Sequence, residues 1–173
     1  MIRKITFKIL ALSTAVGLFA CPVLNAKPYA ARNVLLSPNY KIQENPYFDW
    51  VLRQEKKGDE AAIEKAKVEY LVERIRSSPY TFIRNGAPYP ANRAAEHIDG
   101  KYHRRKDKIH NARDFIEIAA SYSSMSGKPY LIKVEDGTAY PASELLTNEL
   151  ETLEENLKTE LSTDISSAPS TSE

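Results

Sequence analysis

Two stretches of this sequence follow the same plan and decide the fold: YTFIRNGAPYPA at residues 80–91 and YLIKVEDGTAYPA at residues 130–142. Each begins with a run of β-branched and aromatic residues, reaches a glycine, and continues through Tyr-Pro-Ala. Asn85-Gly86 is a strong signal for a tight hairpin turn, because a type I′ turn needs positive φ at both central residues. The pattern predicts two β-hairpins, each followed by a helix, that share one small antiparallel sheet. A chance likeness of two short turns is the alternative.

Helical patterns surround the two hairpins. Asp59 can cap a helix that runs to about Ser77, with one apolar stripe and one charged face. Between the hairpins the sequence predicts a helix from about Asn92 to about Lys106 and a second one capped by Asn111. A last helix starts near Ser143; its leucines face the core, and its glutamates are expected to face water. The glutamates are at 149, 151, 154, 155 and 160. The sequence thus predicts an α+β fold, with a small antiparallel sheet from two β-hairpins packed against about four helices.

The first 26 residues resemble an export signal. Arg3, Lys4 and Lys8 precede an uncharged run from residue 9 to 20, and small residues follow up to Ala26. The apolar run is too short to span a bilayer, which needs about 20 apolar residues. Cleavage after Ala26 is the favoured route.

Cys21 leaves a second processing route open. The four residues 18–21 resemble the box at which bacterial lipoproteins are cut and lipidated, although the bulky Phe19 fits that box poorly. By this route the protein would be lipid-anchored to the envelope through Cys21, and we expect no other membrane contact. Since Cys21 is the only cysteine, no intrachain disulfide can form.

The rest of the chain divides into three parts. We expect residues 27–58 to form an N-terminal tether and a short helix, residues 59–161 a single α+β domain, and residues 162–173 a disordered Ser/Thr-rich tail. The whole chain carries 24 Lys and Arg against 23 Asp and Glu. Because three of the cations lie in the leader, the remainder is close to neutral, and we expect no nucleic-acid binding.

No motif specific enough to name a reaction or a cofactor is present. We predict no metal site, because the three histidines at 97, 103 and 110 lack a zinc-protease spacing and stand among lysines and arginines. Cations are dense between residues 101 and 110. A basic patch for an anionic partner is predicted from Lys101, Arg104, Arg105 and Lys108.

Several segments together resemble the YfeK-like family, a group of uncharacterised exported proteins of Gram-negative bacteria. The likeness covers about residues 68–150. The segments that carry it are FIRNG at 82–86, AEHI at 95–98, DFI at 114–116 and SSMSGKPY at 123–130. Membership of this family implies a location in the cell envelope and does not imply any known reaction. The polar positions that the resemblance marks as a binding site are Arg84, Asn85, His97, Ser124, Ser126 and Lys128.

Two functions follow as expectations. The first is a non-catalytic protein, periplasmic or secreted, that binds an envelope protein or an anionic component of peptidoglycan or lipopolysaccharide. The alternative is a periplasmic hydrolase or transferase, with His97 as general base and Ser124 or Ser126 as nucleophile. In the second case the histidine and a serine must meet in one cleft.

Overall fold

A computed structural model describes residues 34–167 of the chain. The predicted signal at residues 1–26, with Cys21, lies outside the described residues. After a 3-10 turn at Ile42–Glu44, this part of the chain forms five α-helices and four strands. These are α1 (Pro46–Lys57), α2 (Glu60–Ser77), β1 (Thr81–Arg84), β2 (Ala87–Tyr89), α3 (Ala91–Arg105), α4 (Ala112–Asp114), β3 (Leu131–Lys133), β4 (Ala139–Pro141) and α5 (Ala142–Ser167).

The four strands form one antiparallel sheet in the order β2-β1-β3-β4. Asn85 and Gly86 have φ angles of 54° and 83°, as a type I′ turn requires. The two hairpins join through β1 and β3, where Phe82 lies opposite Ile132. The prediction of an α+β fold with two hairpins in one antiparallel sheet is confirmed.

The helices bury one face of this sheet. Phe82 and Ile132 point into a core built mainly from α2, α5 and the segment after α4. That segment, Phe115–Ala120, is a π-helix that continues α4, and the Asn111 side chain caps the start of α4 as predicted. Within the described residues no helix combines the length and the apolar character needed to cross a membrane.

An ion pair lies in the middle of the core. Glu149 on α5 is fully buried and accepts two hydrogen bonds of 2.9 Å from Nε and Nη2 of Arg74 on α2. It also accepts the backbone N–H of Leu36 at 2.6 Å. The expectation that Glu149 faces water is therefore wrong. Its position on the helix places it among the leucines, and Arg74 with Leu36 supplies the hydrogen bonds that a buried carboxylate needs.

The expectation of a tether at residues 27–58 is wrong from residue 34 onward. Leu36 and Ile42 are buried, and the Asn148 side chain donates to the Val34 carbonyl at 3.1 Å. The predicted short helix is the 12-residue α1, which starts after the cap at Asn45. The segment packs because α5 offers it both apolar surface and hydrogen-bonding partners, which the local sequence does not reveal.

The last helix also differs from the prediction of a disordered tail from residue 162. Helix α5 continues to Ser167. Hydroxyl groups in its last turns bond to backbone carbonyls of the preceding turn, for example Thr163 to Thr159 at 3.0 Å. Lys56 on α1 pairs with Asp164 at 2.6 Å, so a tertiary contact holds the extended end. Residues 168–173 lie outside the described part.

We predict that Glu149→Gln destabilises the protein strongly. The change leaves the Arg74 guanidinium buried without a negative partner, and breaking a buried pair in this way costs about 3–5 kcal/mol. Urea unfolding measures the loss. The matched control is Glu44→Gln, which removes an exposed pair with Lys41 and is expected to change the free energy of unfolding by less than about 1 kcal/mol. Equal effects of the two changes would contradict the central role of the buried pair.

Candidate functional site

A cavity lies between the first hairpin and helix α3. Its volume is about 550 Å³. Its wall consists of Phe82, Ile83, Arg84, Tyr89, Arg93, Ala94, Glu96, His97, Ile98, Arg104 and Tyr130. Only Pro90 separates β2 from α3, so the hairpin and the helix that form the cavity are fixed to each other locally. Tyr130 comes from the start of the second hairpin.

A chain of hydrogen bonds crosses the cavity wall. Arg84 Nη1 lies 3.4 Å from His97 Nδ1, and His97 Nε2 lies 3.2 Å from the Tyr130 hydroxyl. A guanidinium only donates, so Nδ1 must accept and the proton of a neutral imidazole must sit on Nε2. Nε2–H then donates to the Tyr130 oxygen. The hydroxyl proton of Tyr130 is left to donate to another group.

The electrostatic environment keeps His97 neutral. Burial lowers the pKa of His97 below its ordinary value, and the positive charges of Arg84, Lys101 and Arg104 lower it further. Burial raises the pKa of the Tyr130 phenol, which therefore keeps its proton at neutral pH. Both groups are thus in the states that the hydrogen-bond chain requires.

The arginines of the cavity are unequally compensated. Arg93 pairs with Glu96 at 3.2 Å. Arg84 and Arg104 form no ion pair with any acidic group of residues 34–167, and Arg84 Nε is buried without a hydrogen-bond partner. Two guanidinium groups therefore face a cavity that holds no neutralising charge for them.

Gly100 helps to place one of these groups. A Cβ atom added at this position would lie 3.3 Å from Nη1 of Arg104. The Arg104 side chain therefore folds back along α3, in the direction that helical side chains favour, and the missing side chain at residue 100 leaves room for it. The Arg104 guanidinium therefore lies beside Gly100, closer to His97 along the helix than the Arg104 backbone is.

The predicted basic patch is wrong in one member. Lys101 is only 6% exposed, and its ammonium donates to the Tyr122 carbonyl at 2.6 Å. Burial lowers its pKa, and the neighbouring arginines lower it further. Lys101 faces inward because it lies three residues after Ile98 on the buried side of α3, so it ties a loop to the helix. Arg104 lines the cavity and is exposed to solvent, as Arg105 and Lys108 also are.

Of the six polar positions predicted as a binding site, Arg84 and His97 meet in the cavity. The other four lie elsewhere: Asn85 occupies the hairpin turn, and Ser124, Ser126 and Lys128 are exposed on the loop before β3. Ser126 Oγ donates to Asn85 Oδ1 at 2.6 Å. The two serines are not part of the cavity wall, since the loop packs against the hairpin turn rather than into the space beside His97. The hydroxyl that His97 contacts is that of Tyr130, a residue the sequence reasoning placed in a strand and gave no role.

The described residues contain no group of three His, Cys, Asp or Glu side chains that could hold a metal ion. His103 contacts Asp99 on the same helix at 3.3 Å. Helix α3 ends at Arg105, so His110 does not lie on the same helix face as His103.

We predict that Arg84→Gln raises the pKa of His97. The substitution removes one of the positive charges that disfavour the imidazolium, so the titration moves up toward the ordinary value of about 6.5. A ¹H–¹⁵N NMR titration of the imidazole measures the shift and also reports the tautomer. Arg113→Gln is the control, because Arg113 pairs with Glu154 and has no part in the environment of His97. An unchanged or lowered pKa in Arg84→Gln would show that the guanidinium does not act on the ring.

Comparison with known proteins shows which family the chain belongs to. No solved structure matches the chain. A curated relative, the uncharacterised protein YfeK of Salmonella typhimurium, is 33% identical over 70 residues, which are 40% of this chain and 58% of the relative. The chain thus matches well under two thirds of that protein's length. Residues 62–154, which include both hairpins and every residue of the cavity wall, match the model of a family of unknown function, DUF5329, and the chain belongs to that family.

Proposed function

We propose that this protein is an exported, non-catalytic envelope protein that binds an anionic component of the cell envelope in the cavity between β1 and α3. One observation carries the proposal. Arg84 and Arg104 face the cavity without an acidic partner among the described residues, beside a histidine held neutral. A cluster of like charges that the fold does not compensate indicates a site that a ligand completes.

The hydrogen-bonding groups of the cavity support an anion in particular. Arg84 and Arg104 offer only donors, and the free hydrogen of Tyr130 adds another. The one carboxylate in the wall, Glu96, is engaged by Arg93. A ligand group that accepts hydrogen bonds and carries negative charge matches this set, and guanidinium groups bind carboxylate or phosphate through two parallel hydrogen bonds.

The leader supports the cellular address. Residues 1–26 have the basic, apolar and small-residue order of an export signal. Carboxylates of peptidoglycan and phosphates of lipopolysaccharide are the abundant anions that an exported protein of a Gram-negative bacterium meets. Either source supplies the chemistry that the cavity accepts.

The hydrolase or transferase hypothesis has less support. It needs a serine within hydrogen-bonding reach of His97, about 2.6–3.2 Å. Ser124 and Ser126 are exposed and lie outside the cavity wall, and both ring nitrogens of His97 are engaged by Arg84 and Tyr130. A tyrosine whose pKa is raised is a weak nucleophile.

We predict that the double variant Arg84→Gln/Arg104→Gln loses binding of anionic envelope fragments. Each guanidinium–anion contact is worth about 1.5–3 kcal/mol, so affinity is expected to fall at least tenfold. Isothermal titration of the purified protein with muramidase-released peptidoglycan fragments measures the loss. A parallel titration with soluble lipopolysaccharide core oligosaccharide distinguishes the carboxylate source from the phosphate source.

The matched control is Arg105→Gln/Lys108→Gln, which removes the same charge from exposed positions outside the cavity. It is expected to bind as the unchanged protein does. If both double variants lose binding equally, general surface charge rather than the cavity is responsible. If neither ligand binds the unchanged protein, the proposal fails.

We also predict that the protein leaves the cytoplasm and that Cys21→Ser does not alter its fractionation. Cleavage after Ala26 removes residue 21, so the substitution is expected to leave a soluble envelope protein that begins at Lys27. Fractionation and N-terminal mass spectrometry test this. A shift from the membrane to the soluble fraction in Cys21→Ser would show the lipid-anchored route, and an intact leader in the cytosol would refute export.

A further inference from the structure

We propose that the ligand of the cavity is an amphiphile, a molecule with one carboxylate or phosphate head joined to an apolar body. This inference rests on the proposed function, because it names the class of anion that the same cavity takes. It is carried by the size of the cavity and by the way its polarity is distributed.

The cavity is too large for a simple anion. Its volume of about 550 Å³ is in the range of roughly 300–1,000 Å³ typical of sites for drug-sized organic ligands. A lone carboxylate or phosphate at the arginines would leave the rest of the space against apolar side chains. Those side chains are Phe82, Ile83, Tyr89, Ala94 and Ile98. Apolar surface gains free energy when a ligand covers it, at about 25 cal/mol per Å².

Polarity changes in one direction along α3. Ala94 lies in the first turn of α3, close in the chain to Tyr89, because only Pro90 separates β2 from the helix. His97 and Ile98 lie one turn further on, and Arg104 follows in the last turns with its guanidinium folded back toward Gly100. Polarity changes in the same direction along β1. Phe82 pairs with Tyr89 at the apolar end, and Arg84 lies nearer the hairpin turn.

The apolar end of the cavity carries no net charge although it contains Arg93. The guanidinium of Arg93 contacts Glu96 at 3.2 Å, so the two charges at this end offset each other. Tyr89, 40% exposed, adds an aromatic face at the rim. The head of the ligand therefore belongs with Arg84 and Arg104, and its apolar body lies against Phe82, Ala94 and the Tyr89 ring.

A homologous series of ligands tests this. Acetate, butyrate, hexanoate and octanoate are titrated into the full chain at low ionic strength and followed by NMR chemical shifts. Affinity is expected to rise with chain length, by up to about fourfold for each CH₂ group that becomes fully buried, taking about 0.8 kcal/mol per CH₂. Hexanamide, which has the same body without the charge, is expected to bind at least tenfold more weakly than hexanoate. Hexyl phosphate shows whether the phosphate head is preferred.

Two tyrosine variants separate the apolar contact from the charge. Tyr89→Ser removes the rim aromatic, and is expected to weaken hexanoate severalfold while leaving acetate unchanged. Tyr122→Ser removes another exposed tyrosine, 52% exposed, that does not line the cavity, and is expected to change neither. Thermal unfolding of both variants confirms that they fold.

The outcomes distinguish this inference from the proposed function. An affinity that depends on Arg84 and Arg104 but not on chain length would overturn the amphiphile and keep the anion site. Equal binding of hexanamide and hexanoate would overturn the required anionic head. Absence of any binding that depends on the two arginines would overturn both proposals.

Discussion

The buried ion pair between Arg74 and Glu149 is the constraint on which the rest of the structure depends. It joins α2, the helix that leads into the first hairpin, to α5, the helix that follows the second. Glu149 also holds Leu36, so the N-terminal segment is attached at the same point. A carboxylate buried this deeply tolerates few arrangements, because every displaced partner leaves an uncompensated charge in the core. The pair thereby holds together the two helices that flank the hairpins, while β1 and β3 join the hairpins themselves in the sheet on which the cavity is built.

The cavity itself depends on short-range connections. Arg84 ends β1, His97 lies in α3, and the intervening chain is a two-residue turn, β2 and a single proline. Tyr130 is the long-range member, and it reaches His97 because β3 pairs with β1. The hydrogen-bond chain from Arg84 through His97 to Tyr130 thus crosses the junction between the hairpins. A site that spans such a junction is formed only when both hairpins are in register.

The sequence predicted the fold well because its signals are local. Asn85-Gly86 requires a specific turn, Asp59 and Asn111 cap helices through their own side chains, and hydrophobic periodicity marks the buried faces. It failed at Glu149 and Lys101, which are buried although their residue types favour water. What holds each one is a partner 75 residues away in the first case and 21 in the second, and no local pattern encodes such pairs. Of the six polar positions predicted as a site, the structure brings only Arg84 and His97 together in the cavity, because the serines depend on a loop path that the sequence leaves undetermined.

Among the described residues, cations are compensated to very different degrees. At Lys67 the same fold brings three glutamates within 4 Å of one ammonium, from Glu64 at 2.8 Å to Glu55 at 3.8 Å and Glu154 at 3.7 Å. Burial alone would lower the pKa of Lys67, and these carboxylates raise it instead, whereas both burial and the surrounding cations lower the pKa of Lys101. Arg84 and Arg104 instead line one cavity without an acidic partner among the described residues. Their like charges therefore repel each other. The Arg84 guanidinium also contributes a hydrogen bond to His97, so it acts in the fold as well as at the cavity. The anion of the proposed function would convert this repulsion into affinity, because its charge would offset both guanidinium groups.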